Sequence, residues 1–134
     1  MLRRTLLLCV SLMLAACSPF TAAPTSVRQS QVVAGVKITL DAPSAPQVNQ
    51  EQRFIVTLED DDGHPIDDAD VYLDLVMPTM PMGMNHPEAV VDGPGRYRTN
   101  TVYTMSGEWQ ITVVATIEQH AYRATFLMQV LAAK

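Results

Sequence analysis

The chain has 134 residues, 48% of them apolar, and a formal net charge of −5. That length suits a single domain. Its acids gather at 59–62 and 67–70 with no basic cluster to match them, which argues against a nucleic-acid partner. Both cysteines, Cys9 and Cys17, lie near the N-terminus, so the rest of the chain has no disulfide framework and no thiolate metal site.

The chain opens with Arg3 and Arg4, then an apolar run from Leu6 to Leu14, then Ala15-Ala16-Cys17. A charged, an apolar and a small-residue region in that order make a secretory signal. The run is too short to span a bilayer, which takes about 20 residues as a helix. Leu14-Ala15-Ala16-Cys17 resembles the lipobox of bacterial lipoproteins. That resemblance implies cleavage after Ala16 and acylation of Cys17, and hence a membrane anchor. Ser18, not Asp, follows Cys17, which points to the outer membrane over the inner. Residues 1–16 therefore read as signal. Residues 17–31, rich in Ser, Thr, Ala and Pro, read as a flexible tether. The folded domain is expected over 32–134.

Seven strands follow in that domain. Residues 36–40 and 54–58 alternate apolar and polar. In 71–77, Val71, Leu73, Leu75 and Met77 share a face. A short strand falls at 89–91, and 97–103 sets Tyr97, Thr99, Thr101 and Tyr103 on one side. In 109–117, Trp109, Ile111, Val113, Ala115 and Ile117 face one way, with Trp109 as a core anchor. Tyr122, Ala124, Phe126, Met128 and Val130 form the inner face of the last strand. A period of two with β-branched and aromatic residues marks strands. Asp, Gly and Pro punctuate the gaps at 61–65, 92–95 and 106–107. No helical period is sustained. The pattern predicts an all-β, immunoglobulin-like sandwich of about seven antiparallel strands.

The unusual chemistry lies at Met77-Pro78-Thr79-Met80-Pro81-Met82-Gly83-Met84-Asn85-His86-Pro87. Met77 continues the inner face of its strand and reads as core. Met80, Met82, Met84 and His86 are spaced by two. On a straight strand such neighbours stand roughly 6.6 Å apart, too far for one ion to touch more than about two. The prolines and Gly83 break the strand, and a curved loop of long, flexible methionines can gather three tips. Thioethers are soft, neutral donors that suit Cu(I), and imidazole suits copper in either oxidation state. Two readings stand here. One is a Cu(I) site made by Met80, Met82, Met84 and His86. The other is an apolar loop that docks on an envelope partner.

The same stretch, with Gly95-Arg96-Tyr97-Arg98 and Met105-Ser106-Gly107-Glu108-Trp109-Gln110-Ile111, resembles the YtkA-like domain family, relatives of the FixH-type proteins. The shared pattern is a Gly-x-Tyr entering one strand and a Met-x-Gly-x-Trp entering the next. The likeness runs from about Val36 to Val130. It implies an immunoglobulin-like sandwich, exported or membrane-anchored, associated with copper handling or with assembly of copper-containing oxidases. FixH-type proteins usually carry a transmembrane helix. This chain has a lipid anchor instead, which argues against direct membership of an oxidase-assembly complex.

Other candidates are weaker. His64 and His120 read as solvent-facing turn residues. Asp60, Asp61, Asp62 and Gly63 lack the alternating acids and terminal Glu of a calcium loop. Met105 faces either Trp109 or the methionine loop, depending on strand register. No Gly-x-Ser-x-Gly setting and no phosphate loop is present. The expected role is binding rather than catalysis: a copper-binding envelope lipoprotein facing the periplasm, or an interaction module in the same place.

Overall fold

The computed structural model describes residues 25–80, 83 and 85–134. The signal, Cys17, Met82 and Met84 lie outside the described residues. Within them are eight strands: β1 (Ser26–Val33), β2 (Val36–Pro43), β3 (Glu51–Glu59), β4 (Asp70–Val76), β5 (Val90–Val91), β6 (Arg96–Val102), β7 (Gly107–Ile117) and β8 (His120–Val130). They pair antiparallel in two sheets, ordered β1-β2-β3-β6-β5 and β4-β7-β8. The two sheets pack face to face as a β-sandwich. Among the described residues, no helix is long and apolar enough to cross a membrane.

Alternation builds the core. Ile38, Leu40, Phe54, Val56, Leu58 and Tyr97 come from one sheet, and Leu73, Leu75, Trp109, Ile111, Val113 and Phe126 from the other. All are buried, and burying one such side chain contributes roughly 1.5–3 kcal/mol. Met77 and Trp109 are core residues as their periodicity predicts. Val114 is buried as well, although it faces outward. It lies between its cross-strand neighbours Tyr72 and Arg123.

The N-terminal boundary differs from the sequence-based one. Residues 26–31, read there as tether, belong to β1. The segment escapes a periodicity argument because it buries almost none of its side chains. Its backbone ladder with β2 holds it. The Arg28–Asp41 ion pair at 2.7 Å and the Ser30–Thr39 hydroxyl pair at 2.9 Å add to that. The amides of Gln29 and Gln31 donate to the backbone carbonyls of Leu127 and Thr125 on β8. One seam of the sandwich is thus closed by side-chain amides.

The other seam is closed by backbone. After the loop beyond β4, the chain returns along the β4 edge. The N–H groups of Leu75 and Leu73 donate to the carbonyls of Asn85 and Pro87, and Ala89 donates to Val71. It then crosses to the opposite sheet, where Val90 and Val91 pair with β6.

Registers also fix the ends. Thr25, the 44–50 connection, the loop after β4, the 103–106 turn and Leu131 lie at one pole, tied by Val48 N–H to Leu131 and Asn49 N–H to Tyr103. The turns at 34–35, 60–65, 92–95 and 118–119 lie at the other.

At that second pole Gly95 has a φ of +61°, and a Cβ there would sit 2.7 Å from the Leu58 carbonyl and from Pro65. Neither neighbour is a flexible side-chain tip. Gly95→Ala should therefore cost about 2–4 kcal/mol, read as a lowered urea midpoint at unchanged slope. A midpoint within experimental error of the parent would contradict this packing.

Candidate metal site

The loop after β4 begins with a tight turn, in which the Met80 N–H donates to the Met77 carbonyl at 3.2 Å. Met77 stays in the core, and its Cε lies 3.0 Å from where a Cβ on Gly107 would stand. Gly107, with a φ of +129°, is thus needed both for its backbone angle and for that contact. Met80 is 45% exposed, so the residue lies at the surface rather than in the core.

The return along β4 sets the neighbouring side chains. Tyr72 lies opposite Glu88, which places His86 beside Asp74. Alternation sends Asn85 towards the seam, where its Nδ2 donates to Thr101 Oγ1 on β6 at 3.2 Å. His86 goes outward. Its Nε2 lies 3.0 Å from Asp74 Oδ1, and its ring packs on Tyr72 with centroids 5.4 Å apart. An ionised carboxylate only accepts, so the pairing calls for a proton on Nε2, and in the neutral ring that tautomer leaves Nδ1 with its lone pair. Asp74 escaped the sequence reading. The register that brings it to His86 comes from a segment with no strand pattern of its own.

Of the four predicted ligands, Met80 and His86 are described, both at the solvent surface of the β4 edge and its loop. Met82 and Met84 fall outside the described residues. The Met105 ambiguity resolves towards the core. Its side chain packs there half-buried, and its carbonyl accepts the Trp109 indole N–H at 3.0 Å. The Tyr103 ring meets Phe54 edge-to-face and lies tilted against Trp109. Its fully buried hydroxyl has no partner among the described residues, and burial pushes its phenol well above the ordinary tyrosine range.

The acidic turn lies at the opposite pole. Asp60, Asp62 and His64 bring their ligand atoms within 4.8 Å of one another. The turn itself accounts for that convergence. Asp60 Oδ1 accepts the N–H groups of Asp62 and His64, each at 2.9 Å, and His64 Nδ1 lies 3.4 Å from Asp60 Oδ2. His120 sits in its own turn, with Nδ1 3.1 Å from the Glu118 carbonyl. A cleft of about 440 Å³ opens where the chain crosses between sheets, bounded by Tyr72, Glu88, Val90 and Val91. Of the described ligand candidates, neither Met80 nor His86 lines it.

Residues 30–114 match the family described as YtkA-like. The chain belongs to that family. The match begins within β1, takes in the methionine stretch, Gly95-x-Tyr97 and Met105-x-Gly107-x-Trp109, and stops within β7. No curated protein matches the chain. The residues on which the sequence resemblance rests have structural roles in this fold. Gly95 permits close approach to β3. The Tyr97 hydroxyl donates to the Ile66 carbonyl at 2.7 Å and accepts the Ala69 N–H at 3.1 Å. Met105, Gly107 and Trp109 fix the turn that abuts Met77.

The acidic turn carries a pH prediction. The His64 backbone N–H above all, then that of Asp62, holds the exposed Asp60 carboxyl below its ordinary range. A carboxyl lowered on folding stabilises above its unfolded pKa, near 3.9, and loses that stabilisation as pH falls through the folded value. The thermal-midpoint advantage of the parent over Asp60→Ala should therefore be constant above pH ~5 and shrink towards pH ~2. A constant gap to pH ~2 would contradict it.

Proposed function

We propose that this YtkA-like protein is a lipid-anchored envelope protein. In this reading it holds Cu(I), or a similarly soft cation, through Met80, Met82, Met84 and His86. Its job is sequestration or delivery, including supply to assembling copper oxidases, and not bond-making chemistry. Acylated Cys17 provides the anchor.

The observation that carries the reading is the His86–Asp74 pair. Histidines that bind metals usually give their other ring N–H to a carboxylate or carbonyl, which fixes the tautomer and orients the ring. His86 has that arrangement at the foot of a methionine loop, with Met80 exposed in the same loop. The donor set is chemically consistent. Neutral thioethers need no deprotonation, so their share of the binding persists at acidic pH, whereas His86 binds only with its Nδ1 unprotonated, and hard cations such as Ca²⁺ and Mg²⁺ find too few oxygens.

The exposure of Met80 also favours a second reading, in which the loop is an apolar surface for an envelope partner. Copper affinity separates the two.

The test is anaerobic competition of the chain from Ser18 onward against a chromophoric Cu(I) chelator. One equivalent should be withdrawn from the chelator. The variant with alanine at Met80, Met82, Met84 and His86 should withdraw none, and Asp74→Ala should bind roughly 10–100-fold more weakly. Equal competition by parent and four-alanine variant would sink the copper reading. Failure of both to compete would leave the docking loop.

A further inference from the structure

We infer that Tyr72 is a positioning residue for His86: seated on Val114, it braces the face of the imidazole while Asp74 holds its edge, so that Nδ1 is aimed before any cation arrives. The brace stands on the geometry alone, and its purpose rests on the copper reading.

His86 needs a second support. It lies in a segment that is not a regular strand, and its side chain is 40% exposed. One hydrogen bond, between Nε2 and Asp74 Oδ1 at 3.0 Å, fixes a point and not a plane. The ring can still swing about that bond, and Nδ1, which lies off its axis, would sweep with it. A contact against the ring face removes the swing. Tyr72 supplies one: the two centroids lie 5.4 Å apart and the planes are inclined at 44°, within the range of favourable aromatic packing.

Register makes this contact. Tyr72 and Asp74 are two residues apart on β4, so both project outward. The return segment runs antiparallel to them, with Glu88 opposite Tyr72 and His86 beside Asp74. His86 is therefore the diagonal neighbour of Tyr72, a separation that an aromatic side chain spans.

Tyr72 is itself held. On its other side its directly opposed neighbour on β7 is Val114, which faces outward yet is 1% exposed. A solvated sheet face ordinarily carries polar residues, and the flanking outward positions on β7 are Thr112 and Thr116. Cover by Tyr72 and Arg123 accounts for the buried valine between them. An aromatic and a β-branched residue directly opposed make a favourable cross-strand pair. Val114, Tyr72 and His86 thus form a line of side chains running from β7, the central strand of its sheet, out to the edge that carries the methionine loop. A ligand group locked in this way loses less conformational freedom when a metal binds.

The test uses full-length protein labelled with ¹³C in its histidine rings. Relaxation of the ring C–H groups reads how firmly each imidazole is held, and the signal lost in His86→Gln is assigned to His86. In the parent, the His86 ring should show an order parameter near the rigid value of about 0.85. Tyr72→Phe, which keeps the ring face, should preserve it. Tyr72→Thr, which keeps a strand-forming residue but no ring, should lower it below about 0.6, with the Trp109 indole signal unmoved as the sign of an intact fold. In chelator competition, Tyr72→Phe should match the parent's Cu(I) affinity. Tyr72→Thr should bind roughly tenfold more weakly, the scale seen for residues that orient a metal ligand. A mobile His86 ring in the parent, or one equally ordered in Tyr72→Thr, overturns the brace and leaves the copper reading standing. A ring loosened in Tyr72→Thr with no loss of Cu(I) affinity overturns the positioning role alone. A parent that withdraws no Cu(I) while its ring is held by Tyr72 overturns the copper reading and the positioning role together.

Discussion

Three backbone hydrogen bonds fasten the chain to the edge of β4 as it returns from the methionine loop: Leu75 to Asn85, Leu73 to Pro87, and Ala89 to Val71. They cover donors and acceptors that would otherwise stand open at a sheet edge. They also set a register, and the register decides chemistry. A shift of one residue would exchange the faces of Asn85 and His86. Asn85 would lose Thr101, and His86 would lose Asp74. Pro87 accepts from Leu73 but has no N–H to return, which keeps the segment from being a regular strand. The result is a fixed yet irregular edge, with a loop free to carry unusual residues.

The residues that carry the sequence resemblance have structural roles at both poles of the sandwich. Gly95 lets the turn before β6 approach β3 with no Cβ between them. Tyr97 bridges the 66–69 connection through its hydroxyl. Trp109 donates to Met105, and Gly107 leaves room for the Met77 methyl. Met105, Gly107 and Trp109 thus stand at the base of the methionine loop, while Gly95 and Tyr97 fasten the opposite pole. All of them act through packing and hydrogen bonds.

Much of the fold was legible from residue order. The seven expected strands correspond to β2–β8, and all but the two-residue β5, whose valines are both exposed, show a period of two because they bury one face and expose the other. What failed was β1. Ser26–Val33 buries nearly nothing, so its stability comes from backbone pairing and two glutamine amides that leave no hydropathy trace. Val114 was missed for a related reason: cover from Tyr72 and Arg123 makes an outward position a buried one. The methionine loop announced itself by composition, since Met80, Met82, Met84 and His86 need no partner to be noticed. Asp74 could not be found that way. It looks like any outward polar residue of a strand, and only the return register of a proline-broken segment brings His86 to it.

The central claim is that His86 offers Nδ1 to a soft cation while Asp74 holds the proton on Nε2. Imidazole ¹⁵N resonances of histidine-labelled protein, followed through an anaerobic Cu(I) titration, test it at the atom concerned. The account predicts that the His86 Nδ1 signal moves on binding one equivalent, while Nε2 keeps its proton and the Asp74 hydrogen bond. An Nδ1 signal unmoved at saturating Cu(I), or a metal that displaces the Nε2 proton and breaks the Asp74 contact, would contradict it.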